Sequence, residues 1–177
     1  MKKSQKNTTI IYLFSVIIIA AILRIIPHPP NIIPITALSL FSGAMIHRKV
    51  GFLIPLSAML LSDIFLGFHS VVPYVYGSFV LITFIGRSLL QEKKGLLRIF
   101  SASLSSSVLF FIITNFGVWV TSGMYIKDVN GLMNSYIMGL PFFKNTVFGD
   151  LFYSFSLFYG YELSLLLGKK LAVYFKR

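Results

Sequence analysis

Six apolar runs, joined by links too short to hold a soluble domain, constrain this chain more than any other feature. They cover about residues 9–26, 34–47, 50–68, 71–90, 96–120 and 145–168. A helix needs about 17–25 apolar residues to cross a bilayer. The second run is short and carries Gly43 and Ala44, so it is expected to tilt or to enter from a dipping loop. Charged residues make up 12% of the chain and mean hydropathy is +0.82, where a soluble domain carries about 25% charge. The alternation of an outer-membrane barrel is absent. The expected fold is all-α, an integral membrane bundle of six transmembrane helices forming one domain over residues 1–177. The Gly67–Ser70 link forces helices 3 and 4 into an antiparallel hairpin. The longest link runs from Thr121 to about Tyr136, and residues 131–139 suit a short interfacial helix ahead of the last span.

The cations set an expected orientation. Of the 16 Lys and Arg residues, 13 fall at the N-terminus, in the 2–3 and 4–5 links and in the tail, leaving Arg24, Lys127 and Lys144 for the other side. The positive-inside rule then puts both termini in the cytoplasm of a cell (inner) membrane protein. The opening Met1–Lys6 resembles a signal n-region, but no small-residue cleavage site follows the first run, which reads as an uncleaved span. A net charge of +11 does not point to nucleic acid, because aromatics are not interleaved with the cations as a strand-binding surface requires. The absence of Cys excludes disulfides, thiol catalysis and Cys-based metal sites.

Between the first two runs lies a stiff turn with Pro27, Pro29, Pro30 and Pro34. Proline fixes φ and lacks an N–H, so this stretch cannot be helical. The turn reads either as a preformed wall or lid of a site, carrying Arg24, His28 and Asn31, or as a cap between two helices. The orientation gathers the unusual polar residues on the outer side: Arg24, His28, Asn31, Asp63, His69, Asn115, Trp119, Asn145 and Asp150, with Lys144 beside them. Ionisable groups in spans are costly and usually face a cavity, a partner or the bundle interior. These nine are the candidate substrate-binding residues. Each also has a plain structural reading. Arg24 can snorkel or pair with Asp63. Asn115 can hydrogen-bond between helices, Trp119 can sit in the interface belt, and Asp150 can suit the helix dipole. His28 and His69 stand in separate links without metal-ligand spacing. The small residues of Ser101–Ser107 suit close helix packing. No catalytic or nucleotide-binding motif is present, so neither an enzyme nor a cofactor is expected, and no metal.

Several stretches carry a resemblance: Arg24-Ile-Ile-Pro-His-Pro-Pro-Asn31 with Pro34-Ile-Thr-Ala37, Ser62-Asp-Ile-Phe-Leu-Gly-Phe-His69, Thr114-Asn-Phe-Gly-Val-Trp119, Pro141-Phe-Phe-Lys-Asn145 and Gly149-Asp150. They resemble an uncharacterised family of small bacterial membrane proteins regarded as transport proteins. More distantly, the layout is similar to the substrate-binding S components of energy-coupling factor vitamin transporters. That similarity implies a six-helix fold that captures a small organic solute, such as a vitamin or precursor, beneath the loop between helices 1 and 2. It also implies a transmembrane coupling subunit with ATPases as partners. Helix 1 departs from S components, since Ala20 is followed four residues on by Arg24, whereas Ala58 and Ser62 keep that small-residue spacing on helix 3. The alternatives are an intramembrane enzyme acting on lipid or peptide, and a non-transporting assembly subunit.

Overall fold

The computed structural model describes residues 3–46 and 50–174, with side chains over 11–46 and 50–168. Arg48, Lys49, Lys169, Lys170 and the rest of the basic tail, and the cations of the first segment, lie outside the described side chains. Six helices and no strand are present among the described residues: α1 Lys3–Ile25, α2 Ile35–Met45, α3 Leu53–Leu66, α4 Val72–Leu90, α5 Leu96–Thr121 and α6 Val129–Tyr174.

The helix boundaries follow local chemistry. α1 stops before Pro27. In the turn, Ile32 N–H donates to the Pro29 carbonyl at 3.2 Å, and Asn31 takes φ +64. Proline followed by a left-handed Asn at the two central positions is the pattern of a type II turn. Pro34 then caps α2, its carbonyl accepting from Leu38 N–H at 2.9 Å.

The sequence reading and the structure part company at α6. One helix of 46 residues begins at Val129 and runs through Pro141, in place of a loop to about 136 and a separate helix from 145. Asp128 supplies the reason at the start. Its Oδ1 accepts the Gly131 N–H at 2.7 Å, an N-cap that begins the helix early.

α2 is the axis of the molecule. Residues Ile35–Ala44 are all buried, its hydroxyls Thr36, Ser39 and Ser42 along with its apolar side chains. It packs most closely along α4 and also touches α1, α3, α5 and α6. Glycines permit the α2–α4 approach, because a Cβ on Gly43 would overlap the Thr83 backbone and one on Gly86 the Leu40 backbone. At one end of α2, Phe41 packs against Tyr12, Phe158 and Tyr161 at ring-centroid distances of 5.2–5.7 Å.

Large apolar side chains lie on the outside as well as in the core, and hydroxyls lie inside. Ser39, Ser42, Ser62, Ser103, Ser106 and Ser107 are buried, whereas Phe14, Ile64, Phe65, Phe148 and Phe152 are more than 60% exposed. The interior hydroxyls mostly donate to a carbonyl one turn back, and among the described residues no buried side-chain N or O lacks a partner. Val72–Leu90 and Leu96–Thr121 are long and apolar enough to cross a membrane, whereas Ile11–Ile25, Ile35–Met45 and Leu53–Leu66 are apolar but shorter.

Candidate functional site

The site is a cleft of about 700 Å³ at the end of the bundle where α1 stops, α4 starts and α5 finishes. The proline turn contributes Asn31 and Ile33, the α3–α4 link His69 and Val71, and α5 the stretch from Phe110 to Val118. Tyr125 of the α5–α6 link and the first half of α6 close the remaining side. Most of the wall is apolar or aromatic, including Met59, Phe110, Phe111 and Phe142, with Arg24, Asn31, His69 and Asn115 set into it. No Asp or Glu lies on this wall.

Arg24 is held from behind. Its Nη1 donates to Asp63 Oδ1 and Ser62 Oγ, both at 2.5 Å, and reaches the Met59 carbonyl at 3.4 Å. Asp63 is buried beneath it, and Tyr76 OH donates to its other oxygen at 2.8 Å. Asp63 therefore stands off the wall, with both oxygens engaged. Asn115 donates through Nδ2 to the Phe111 carbonyl at 2.8 Å. Its side chain lies against α6 at Gly139, where a Cβ would overlap it.

Asp150 lies behind the cleft floor. Ser107 Oγ donates to its Oδ2 at 2.7 Å, and the Thr36 hydroxyl bonds the same carboxylate. Between Asp150 and the cleft is a void of about 10 Å³, bordered by Asn31, Ile33 and Thr146, roughly the space of one water. Ser103 and Ser154 continue the polar seam between α5 and α6 at 3.4 Å.

The other candidates sit elsewhere. His28 is exposed, its Nδ1 2.7 Å from the Ile26 carbonyl, and is off the wall. Asn145 ties α6 to the proline turn, its Nδ2 donating to the Pro30 carbonyl at 3.1 Å. Trp119 donates to the Ile126 carbonyl at 2.9 Å. Lys127 donates to the Trp119 carbonyl and lies 5.7 Å from its ring centroid. Together these bonds fasten the α5–α6 link. The structure thus brings Arg24, Asn31, His69 and Asn115 together, sets Asp63 and Asp150 behind the wall, and leaves His28 in the proline turn, Trp119 near the end of α5 and Asn145 on α6, all off the wall. Tyr76 and Tyr125 carry no signal in the sequence, and Thr36 appears there only within the Pro34–Ala37 motif. Only their positions in space distinguish them from other hydroxyl residues of the chain. Among the described residues, no three His, Asp or Glu side chains group as a metal site would need.

A family model described as a family of unknown function (DUF6580) matches residues 4–172. The chain belongs to that family. No curated protein and no solved structure matches it, and the family match carries no support for a likeness to S components. The DUF6580 match spans α2 to α5 entire, the proline turn and every residue of the cleft wall.

Proposed function

We propose that this DUF6580 protein is a multi-pass membrane protein that captures a small organic solute in the cleft. The observation that carries the reading is the cleft itself: about 700 Å³, mostly apolar, with Arg24, Asn31, His69 and Asn115 among the polar side chains on its wall. Solute sites commonly have about this size and this mixture. The apolar exterior supports a bilayer as the surrounding solvent, since soluble proteins rarely expose such patches.

In this reading the six helices form one membrane-embedded bundle, with α2 enclosed by the other five. α4 leaves the cleft near Val71 and rises about 28 Å over its 19 residues, close to the hydrocarbon thickness of about 30 Å. At its far end stand Arg87, Lys93, Lys94 and Arg98. The positive-inside rule makes that end cytoplasmic and the cleft outward-facing. α6 is about 69 Å long by its 46 residues, so its first turns stand outside the bilayer and wall the cleft. The chain has no nucleotide-binding motif, and a coupling partner with ATPases would supply the energy. The intramembrane aspartyl-enzyme alternative gains no support from the geometry, because Asp63 and Asp150 share no hydrogen-bond partner.

Native mass spectrometry of protein extracted in mild detergent tests the reading. A retained small molecule is expected on the unaltered chain, with at least a tenfold loss of occupancy in Asn115→Ala. Bare wild-type protein, together with solute uptake into cells that does not depend on this chain, would rule it out.

A further inference from the structure

The cleft's own donors narrow the class of solute, an inference that rests on the capture reading above. All the hydrogen bonds of Arg24 to described residues pass through Nη1. Among the described residues, Nε and Nη2, the parallel edge of the guanidinium, have no acceptor, on a side chain that lines the cleft and is 12% exposed. An arginine held from behind by a carboxylate is fixed in place, and its open edge matches a two-oxygen planar anion. Asp63 cannot swing round to fill that edge, because Tyr76 holds its second oxygen at 2.8 Å. No acidic side chain on the wall would repel an anion, and His69 stands on the same wall.

We infer that the solute is a monocarboxylate with an apolar body, its carboxylate gripped by Nε and Nη2 of Arg24 and its body lying among Met59, Phe110, Phe111 and Phe142. The Arg24–Asp63 pair is neutral overall. It therefore orients one carboxylate well but offers little excess charge to a phosphate dianion. The cleft of about 700 Å³ has ample room for a compact free acid.

Thermal melting of the full chain in an uncharged detergent tests this with three probes: 4-phenylbutyrate, its neutral amide, and phenyl phosphate. The acid is expected to raise the melting temperature at concentrations at least tenfold below those the amide or the phosphate requires. Arg24→Lys keeps a cation beside Asp63 but removes the parallel edge, and is expected to abolish the preference for acid over amide. The wild-type comparison stands by itself if that variant folds poorly. Equal potency of acid and amide, a stronger response to phenyl phosphate, or no response to any probe overturns the inference. Dodecanoate acting more strongly than 4-phenylbutyrate overturns the assignment to a free solute in favour of a lipid source. None of these results depends on whether a molecule is retained in native mass spectrometry, so the capture reading can survive the loss of this one.

Discussion

Two buried carboxylates lie behind the same cleft and are held in opposite ways. Asp63, at the α1–α3–α4 junction, faces a guanidinium and a phenol. Asp150, at the α2–α5–α6 junction, is equally buried but is met by the hydroxyls of Ser107 and Thr36. In the first pocket a charge is answered by a charge, and the pair fixes Arg24 against the cleft wall. In the second the carboxyl group has hydrogen-bond donors but no cation beside it. The difference shows that a buried acid in this bundle is not a single kind of object. One belongs to the machinery that aims an arginine, and the other to a polar seam between helices.

The same substitution in both pockets separates them. Asp63→Asn leaves the Arg24 guanidinium 12% exposed and without its counter-charge. Breaking one side of a buried pair costs about 3–5 kcal/mol, so this variant should show the largest fall in melting temperature in detergent. Replacing both partners, as Arg24→Met with Asp63→Leu, should recover most of that loss, since apolar replacements of a buried pair are often neutral. A double variant as unstable as the single one would mean that the pair is not what the Asp63 substitution disturbs.

Tyr76→Phe is the next step down. It deletes only the 2.8 Å phenol donor to Asp63, a bond to a charged group that contributes roughly 1.5–3 kcal/mol. If Tyr76 also keeps Asp63 from turning, the variant should weaken solute binding in the cleft beyond what its melting temperature predicts. A binding assay at a temperature well below the melt of both proteins would show it. Equal binding by both would reduce Tyr76 to a stabilising residue.

Much of this arrangement was legible in the residues themselves, and the gaps have physical causes. Four prolines dictated the turn that places Asn31 on the wall, and one-sided sorting of polar residues pointed to the end of the bundle where Arg24, His69 and Asn115 meet. The enclosure of α2 was hidden, because an apolar run reads alike whether lipid or protein surrounds it. The early start of α6 was hidden by the polar segment from Thr121 to about Tyr136, which reads as a link. The Asp128 cap starts the helix inside that segment, and it continues through Pro141. Tyr76 was illegible for a different reason. It lies 13 residues from Asp63 on another helix, a spacing with no meaning until α3 and α4 are packed together.

Asp150→Asn should have the smallest effect and decides the comparison. The amide has nearly the shape of the carboxyl group, and its oxygen can still accept the Ser107 hydroxyl. Its nitrogen can donate to the Thr36 oxygen, since a hydroxyl can reverse its role. No cation loses a partner. The expected change is within about 1 kcal/mol, the scale of a single neutral hydrogen bond, read as a melting temperature near that of the unaltered protein. Ser107→Ala provides the internal measure, because it removes one donor to Asp150 and leaves the acid in place. If Asp150→Asn instead fell as far as Asp63→Asn, the second carboxylate would have to balance a positive charge after all. The void of about 10 Å³ between Asp150 and the cleft would then be the place to look for it.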